Sequence, residues 1–297
     1  MSTLRRQLEV DMLLGNYAEN TRQIYLDAIA KFEEHTGRPV EEAGVDDIRA
    51  HLHHLVERNL SESSIKQAYS ALKLITEVTL GREWAVRRIP RARKKKRLPV
   101  ILSREEVQDL ISAAPNLKYR AIFTTTYSAG LRTSEVARLK ITDIDSVGMR
   151  IRVDQGKGGK DRYTVLAQAT LDLLRVYWRT CRPVEWLFTP ESTTDKPISE
   201  RAVQAAFHNA LKKTGIQKPA SPRSLRHAFA THFYEDGGDL STLQEILGHA
   251  NLNTTRIYLH ISRTRLSQVK SPIDLWPSTL RDTEAPGSSP RPKEQGR

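Results

Sequence analysis

The sequence predicts a mainly helical α+β protein with two domains and one small β-sheet. The chain has 297 residues, which is enough for two hydrophobic cores. Apolar residues recur at helical spacing through the first ninety residues, and helical patterns return after residue 101. Alternation of apolar and polar residues, which is typical of strands, marks one glycine-centred stretch in the second half.

Residues 1–90 are predicted to form a bundle of about four helices. In "TRQIYLDAIAKF" and "SSIKQAYSALKLITEV" the apolar side chains lie three and four residues apart, so each segment would turn one stripe towards a common core. Polar residues at the predicted helix starts can accept hydrogen bonds from unpaired backbone N–H groups. The stripes contain Ile24, Tyr25, Ala28, Ile29 and Phe32, then Ile65, Tyr69, Leu72 and Ile75; the predicted N-caps are Asn20, Asp46 and Ser61.

A strongly basic segment, "RIPRARKKKRLPV", follows the bundle. Like charges at this density repel one another and keep the chain extended, and Pro90 and Pro99 disfavour a continuous helix. We interpret residues 91–100 as an interdomain linker; an ordinary solvated loop and a nuclear import signal are alternatives. On a DNA backbone such a linker would displace counterions and add affinity without sequence preference. Its cations are Arg91, Arg93, Lys94, Lys95, Lys96 and Arg97.

The second domain is predicted to span residues 101–276. Ser103 and the glutamates that follow it mark a helix start. The stretch "MRIRVDQGKGGKDRYTVL" alternates around Gly158 and Gly159, which predicts a β-hairpin. Helical patterns return from Ala167 to about residue 270. Residues 277–297 are rich in proline, glycine, serine and charge, so we expect them to be disordered.

The composition narrows the classes of function. With 47 Lys and Arg against 35 Asp and Glu, the formal charge of +12 favours a polyanionic partner, nucleic acid first and anionic membrane second. No apolar run approaches the roughly 20 residues that span a bilayer, and the N-terminus lacks a signal-peptide core, so we expect a cytoplasmic protein with no membrane partner. The single cysteine, Cys181, excludes an internal disulfide. The histidines of "HLHHL" at 51–55 lack ligand partners, so a solvated helix face is preferred to a metal site.

Four short blocks in the second half are dense in groups that bind phosphate. "YSAGLRTSEVARL" turns at Gly130 into a helix whose first turn would carry an arginine, and "GKGGK" places a lysine on a hairpin tip. In "SPRSLRHAFATH" two arginines lie one turn apart near a helix N-terminus, which is unfavourable unless an anion lies between them. In "LGHANLNTTRIYLH" a tyrosine follows a histidine by nine residues, in a short helix predicted to be capped by Asn253. Each block alone is also compatible with an exposed arginine, an ordinary turn, a satisfied histidine or an amphipathic tyrosine.

In their order and spacing, "GLRTSEVARLKITDID", "GKGGKDR", "LRHAFATH" and "LGHANLNTTRIY" resemble the sequence blocks of the tyrosine recombinase family, also called phage integrases. The resemblance covers nearly the whole chain. It implies a helical core-binding domain at 1–90 and a tyrosine recombinase catalytic domain at 101–276, which together clamp DNA. It also implies the following roles: Arg132 and Arg226 as arginines that grip the scissile phosphate, Lys157 as the general acid, His249 as a phosphate ligand and Tyr258 as the nucleophile.

One position departs from the family pattern. Arg223 stands where the family usually has His or, less often, Lys. An arginine can donate to a phosphate oxygen, but it cannot accept the tyrosine proton at neutral pH. His227 follows Arg226 directly, about 100° round the helix, and is therefore predicted to be a poor substitute. Two carboxylates near the first block, Glu135 and Asp143, are assigned helix-packing or capping roles.

The resemblance implies a site-specific recombinase or integrase that joins DNA strands through a 3′-phosphotyrosine intermediate. "NLKYRAIF", "GKGGKDRYTVL" and "VKSPIDLW" look similar to stand-alone integrases of mobile elements. The expected partners are double-stranded DNA and other protomers, in a tetramer on paired sites, and no metal or other cofactor is expected. The alternatives are an Xer-type dimer resolution recombinase, a type IB topoisomerase, and an accessory protein whose catalysis was lost at Arg223. The apolar segment at 263–276 would pack on a neighbouring protomer or fold back on its own domain.

Overall fold

A computed structural model describes residues 3–84, 99–154, 161–249 and 251–259. The chain divides between Lys96 and Arg97 into two compact units. Residues 91–98 of the predicted linker, the hairpin tip with Lys157 and the C-terminal segments after residue 259 lie outside the described residues. The finer domain limits of 1–90, 91–100, 101–276 and 277–297 therefore stay predictions.

The N-terminal unit is a helical bundle, as the apolar stripes predicted. Its core contains Ile29 and Phe32 from the first predicted stripe, and Leu72 and Ile75 from the second, all fully buried. Leu8 and Met12 of the first helix belong to the same core. The elements are α1 (Thr3–Leu14), α2 (Glu19–Thr36), α3 (Val45–Glu57) and α4 (Glu62–Leu74), followed by a π-helical turn, Ile75–Thr79.

Of the three predicted N-caps in this unit, one is confirmed. The Oγ atom of Ser61 accepts the backbone N–H three residues further on at 3.1 Å. Asn20 and Asp46 are instead the second residues of their helices, so those two predictions are wrong. At the start of α3 the acceptor is Asp47, whose Oδ2 takes the N–H of Gly44 at 2.9 Å. In a stretch with two adjacent aspartates, residue type alone does not fix the register of the cap.

The predicted solvated face at 51–55 is wrong for His51, which is 2% exposed. Its ring packs edge-on against Phe32 at 5.1 Å between centroids, and His35 stacks on His54 at 4.2 Å. Burial, followed by the charges of His35 and His54, lowers the pKa of His51 to about 4. The histidine is therefore a neutral core residue at pH 7. Across the described residues no His, Cys, Asp and Glu cluster is suited to hold a metal ion.

The C-terminal unit surrounds one largely buried helix, α10. Helix α10 lies against α6, α5, α9 and α11, so its side chains point into the unit on several sides. The elements are α5 (Arg104–Ser112), α6 (Leu117–Ser128), α7 (Thr133–Ala137), a 3₁₀ turn (Ile141–Asp143), β1 (Ile144–Asp145), β2 (Arg150–Val153), β3 (Arg162–Val165), α8 (Gln168–Cys181), α9 (Glu200–Thr214), α10 (Pro222–Glu235), α11 (Leu240–Leu247), α12 (Leu252–Thr255) and a second 3₁₀ turn (Arg256–Leu259).

The predicted hairpin is confirmed by the antiparallel pairing of β2 with β3, in which Ile151 lies opposite Thr164. Strand β1 adds a third antiparallel strand to the sheet. The predicted helix start at Ser103 is also confirmed, because Ser103 and Glu106 exchange backbone-to-side-chain hydrogen bonds at 2.7 and 3.2 Å. The described part of the chain contains no helix that is both long and apolar enough to cross a membrane.

Candidate active site

Arg226 on α10 is the central cation of the site. Ser221 caps this helix and Pro222 is its first residue, as predicted, which places Arg226 on the second turn. The guanidinium is 4% exposed and donates to two backbone carbonyls, Gly130 O and Leu247 O, each at 2.6 Å. Burial, then the charge of Arg132, lowers its pKa to about 9, which leaves it protonated at pH 7. These bonds fix Arg226 between the turn before α7 and the end of α11.

The turn before α7 requires glycine. Gly130 has a φ of +61°, and a Cβ atom there would lie 2.6 Å from a ring carbon of Phe229 on α10. This close approach brings the Gly130 carbonyl within reach of Arg226. Arg132 follows as the N-cap of α7, one position earlier than the first-turn position that the sequence predicted. The turn at Gly130 and helix α10, which carries Arg226, therefore meet in one pocket.

Glu135 is the buried counter-ion of this pocket. Its carboxylate, 7% exposed, accepts two hydrogen bonds from Arg162 at 2.7 and 2.8 Å, and one from the backbone N–H of Arg132 at 2.8 Å. The Arg132 side chain also bonds it, and Arg226 lies 3.6 Å away. Burial opposes ionisation of the carboxyl group, but the bonds and charges of Arg162 and Arg132 outweigh it and lower the pKa of Glu135 to about 2.

The capping role that the sequence assigned to Glu135 is confirmed, but it is incomplete, because the same carboxylate also pairs with side chains of the pocket. The other carboxylate, Asp143, caps the 3₁₀ turn through the N–H of Lys140 at 2.9 Å and bonds Arg152 at 3.0 Å, as predicted. Asp143 therefore has a structural role, whereas Glu135 sets the charge of the pocket.

Arg162 is a residue of the site that the sequence analysis missed. It begins β3, directly after the hairpin tip, and its Nε donates to Ile246 O at 2.9 Å. A Cβ atom on Gly248 would lie 2.7 Å from its Cδ. Arg162 thus joins the hairpin to Glu135 and to the end of α11. The sequence block "GKGGKDR" ends in Arg162, but the strand pattern around this arginine gave no sign that it pairs with Glu135, 27 residues earlier in the chain.

His249 lies after α11, next to Arg226. Its Nε2 is 3.2 Å from Nη2 of Arg226, and its Nδ1 is 2.9 Å from Oγ1 of Thr255. Burial, then the charges of Arg226 and Arg132, lowers the pKa of His249 to about 4. Since a guanidinium only donates, Nε2 is the acceptor, and Nδ1–H donates to Thr255. His249 is therefore a neutral ring held between an arginine and a hydroxyl.

Tyr258 is buried, 2% exposed, in the second 3₁₀ turn, and its hydroxyl lies 2.9 Å from Nδ1 of His227. Burial raises the pKa of Tyr258, while the charges of Arg226, Arg223 and Arg132 oppose that rise. The Tyr258 hydroxyl therefore keeps its proton when no ligand is bound in the pocket. The helix that precedes it begins at Leu252, so the predicted cap at Asn253 is wrong; the N–H of Thr254 bonds Asn251 O at 3.0 Å instead.

His227 lies within hydrogen-bond distance of Tyr258, although its position on the helix had suggested that it lies too far round α10. A 100° rotation separates His227 from Arg226, but α10 is enclosed, so both residues can face the same pocket from one helix. Burial, then the charges of Arg223 and Arg226, lowers the pKa of His227 to about 4. Arg223 itself is exposed at the start of α10. Of the six predicted site residues, five are described; they lie around this pocket, and Lys157 is outside the described residues.

The sequence matches known family models over most of its length. The model described as the phage integrase family matches residues 101–265, and the model of the phage integrase N-terminal SAM-like domain matches residues 4–86. A Sinorhizobium fredii protein named putative integrase/recombinase y4qK is 43% identical over 279 residues, which cover 93% of this chain and 90% of that protein.

Two further relatives agree with these matches. Tyrosine recombinase XerC of Halalkalibacterium halodurans is 33% identical over 245 residues, 75% of this chain and 79% of that protein. Among solved structures, the XerH site-specific recombinase bound to its difH substrate before cleavage has a similar fold, with a TM-score of 0.66 over 90% of this chain and 83% of that one. Its identity to this chain is 21%, so this likeness concerns the fold.

Proposed function

Since the chain belongs to the phage integrase family of DNA strand-transferring enzymes, we propose that it cuts and rejoins DNA through a covalent 3′-phosphotyrosine bond formed by Tyr258. The observation that carries this proposal is the position of the Tyr258 hydroxyl: buried, bonded to His227, and close enough to Arg226 and Arg132 for their charges to act on it. A tyrosine in such a cationic pocket is suited to attack an anionic substrate.

The charge of the pocket supports a phosphate as its ligand. Within the described residues, Arg132, Arg162 and Arg226 surround the single carboxylate of Glu135, which leaves two net positive charges. Guanidinium groups match the geometry of phosphate oxygens and form paired, charge-assisted hydrogen bonds with them. Arg132 and Arg226 would grip the non-bridging oxygens, Arg223 would add a third donor at the exposed start of α10, and Arg162 would hold Glu135 in place.

In the proposed cleavage step, Oη of Tyr258 bonds to phosphorus while the bond from phosphorus to O5′ breaks. Negative charge grows on the non-bridging oxygens, and the fixed arginines stabilise it because they need little reorganisation. The departing O5′ takes a proton from Lys157, which the hairpin would carry to the site. A 5′ hydroxyl of another strand reverses the step. The proposed chemistry draws on these side chains and on the DNA, with no cofactor.

His249 is proposed as a further phosphate ligand. Its Nε2 now accepts a bond from Arg226, so to donate to a phosphate the ring must carry a proton on Nε2, either as the protonated ring or as the neutral tautomer whose Nδ1 accepts from Thr255. An incoming phosphate would favour a proton on Nε2, because its negative charge offsets the arginines that, together with burial, lower the pKa of the ring. The phosphate would thus complete the set of donors around itself.

The proposed partners are double-stranded DNA and further copies of the chain. The N-terminal unit would act as the core-binding domain and the C-terminal unit as the catalytic domain, assembled as a tetramer on paired sites. The name of the Sinorhizobium fredii relative, integrase/recombinase, favours DNA integration, and we propose that the DNA integrated is that of a mobile element. The similarity to a XerC protein keeps Xer-type dimer resolution as a second candidate. Recovery of the target sequence from cells distinguishes the two.

The first test is the formation of the covalent adduct. The protein is incubated with a nicked duplex from the ends of its own element, which traps cleaved strands, and adducts are separated on a denaturing gel. We expect an adduct for the wild type, none for Tyr258→Phe, and DNA binding by both within a few-fold in mobility shifts. Tyr163→Phe, an exposed tyrosine of β3, is the matched control and should behave as the wild type.

Two results would contradict the proposal. An adduct that persists in Tyr258→Phe would mean that another residue is the nucleophile. A wild-type protein that binds its own element's DNA but never becomes attached to it would support the alternative of an inactive accessory protein. Protein that reseals a single strand in supercoiled plasmids, without exchange between two sites, would point to topoisomerase activity instead.

A further inference from the structure

His227 contacts the reacting oxygen of the proposed nucleophile. Its Nδ1 lies 2.9 Å from Oη of Tyr258, and the two rings are tilted with centroids 5.9 Å apart. We propose that His227 is the base that takes the Tyr258 proton during attack on DNA. This inference rests on the proposed function. It assigns the proton transfer to a residue one position after the phosphate-gripping Arg226, rather than to position 223.

The neighbouring groups leave His227 as the acceptor. Arg223, Arg226 and Arg132 carry guanidinium groups, which only donate hydrogen bonds, so they cannot receive a proton. The ring nitrogens of His249 are both engaged, with Arg226 and with Thr255. Within the described part of the chain, the Tyr258 hydroxyl is hydrogen-bonded to His227.

The charge state of His227 suits a base. Burial is the largest cause that lowers the pKa of His227 to about 4, followed by the charges of Arg223 and Arg226. The ring is therefore neutral at pH 7, and the lone pair of Nδ1 can accept the Tyr258 proton. Tyr258 holds its proton in the same surroundings, which makes it the donor and Nδ1 the acceptor of their bond. The charged and titratable groups that face this pair are Arg223 and Arg226 from α10, Arg132 from the start of α7, and His249 from the loop after α11.

Arrival of DNA would strengthen the base at the moment of use. A phosphodiester brings one negative charge between the arginines, and that charge stabilises a protonated His227 just as the arginines alone destabilise it. The same arginines stabilise the tyrosinate character that develops on Oη. The pair is therefore neutral in the free protein and ready to separate charge once the phosphate is bound.

The proposed step is balanced. The bond from Oη of Tyr258 to phosphorus forms, the bond from phosphorus to O5′ breaks, and the phenolic proton moves to Nδ1 of His227 while O5′ receives a proton from Lys157. In rejoining, O5′ bonds to phosphorus, the bond to Oη breaks, and His227 returns its proton to Oη. Oxidation states do not change, and no further reactant is consumed.

The test separates a base from a residue that only positions the tyrosine. His227→Asn keeps an acceptor oxygen near the position of Nδ1 but cannot take a proton at neutral pH. On the nicked duplex we expect its single-turnover rate of adduct formation to fall by about 10²-fold or more, with DNA binding unchanged. Between pH 7 and 9 the variant's rate should rise towards tenfold per pH unit, because tyrosine ionised in advance must attack, whereas the wild-type rate should stay nearly flat.

A modified substrate identifies which proton is involved. A 5′-bridging phosphorothiolate replaces O5′ with sulfur, which leaves without a proton. We expect this substrate to restore cleavage by Lys157→Ala, which lacks the proposed acid, but not by His227→Asn. His208→Asn, an exposed histidine on α9, is the matched control and should match the wild type on both substrates.

The outcomes are distinct from those of the parent proposal. If the wild type forms no adduct, the proposed function fails. If the wild type forms it and His227→Asn cleaves within threefold, keeps the flat pH profile, or is restored by the sulfur substrate, the base assignment is overturned. Urea unfolding of each variant shows whether it is folded. His227→Gln, for which the same results are expected, serves if the Asn variant is not.

Discussion

Replacement of Glu135 by Gln should destabilise the C-terminal unit and, at the same time, make its stability depend more strongly on sulfate. Glutamine keeps the size of the side chain but removes the negative charge that faces Arg132, Arg162 and Arg226. The three guanidinium groups would then lie together in a buried pocket without a counter-ion. An anion that enters the pocket would replace the lost charge.

The structure sets the size of the effect. The pKa of Glu135 is held near 2 instead of the usual 4.5, and at about 1.4 kcal/mol for each pH unit this difference is worth about 3 kcal/mol. Removal of one partner from a buried ion pair costs a similar amount, about 3–5 kcal/mol. We therefore expect Glu135→Gln to lose about 3 kcal/mol of unfolding free energy in a buffer of low ionic strength.

The assay is urea unfolding in chloride and in sulfate at equal ionic strength. Sulfate that binds the folded state stabilises it by mass action, and the more positive pocket of the variant should bind it more tightly. We expect sulfate to narrow the gap between variant and wild type by about 1 kcal/mol or more. The control is Glu185→Gln: Glu185 bonds Lys140 at 2.8 Å but is 57% exposed, so the loss should stay under about 1 kcal/mol and should not depend on sulfate.

The reasoning is refuted if Glu135→Gln is as stable as Glu185→Gln in low salt, because the buried carboxylate would then not balance the arginines. It is also refuted if sulfate widens the gap between Glu135→Gln and the wild type. That result would mean that the pocket needs a carboxylate, and not merely a negative charge.

Two further predictions concern stability. Gly130→Ala should lower the unfolding free energy, measured in urea, by at least about 1 kcal/mol more than Gly37→Ala. Both glycines have a positive φ, but only a methyl group at 130 would meet Phe229, whereas a methyl group at 37 would meet no atom within 4 Å. Equal losses in the two variants would show that the contact with Phe229 relaxes freely. Between pH 6.5 and 4 the unfolding free energy should fall by up to about 1.4 kcal/mol per pH unit for each histidine whose pKa is lowered, such as the partly buried His227, since the unfolded ring takes up a proton first. His227→Asn should reduce this slope, and an unchanged slope would show that this histidine is not held neutral.

The sequence predicted those features that depend on local pattern. Helical stripes and strand alternation are repeats of a few residues, so the bundle containing Phe32 and the hairpin containing Ile151 followed directly from them. The cap at Ser61 was predicted correctly as well. The start of α3 shows the limit: its N-cap is Gly44, two residues before the predicted Asp46, and the side-chain acceptor is Asp47, so the backbone geometry decides which of two neighbouring aspartates accepts the N–H.

The features that the sequence analysis missed depend on contacts between distant segments. Arg162 and Glu135 are 27 residues apart, and nothing in a strand pattern or a helix start indicates that they meet. His227 was set aside because a helical wheel separates it from Arg226, but a wheel describes one helix in isolation. Once α10 is enclosed, the 3₁₀ turn that carries Tyr258 can approach on the side of His227.

Under the proposed function, the arrangement of charges would make one pocket stable without DNA and reactive with it. With no phosphate bound, Glu135 offsets the charge of one arginine, and backbone carbonyls fix Arg226. A guanidinium fixed in this way would stabilise a phosphate with little reorganisation. Burial, then the charges of Arg223 and Arg226, keeps His227 neutral. Burial also raises the pKa of Tyr258, so the proposed nucleophile keeps its proton until it attacks. In the proposed mechanism a bound phosphate would change this balance at the histidine, because the negative charge that the arginines would grip also stabilises a proton on His227.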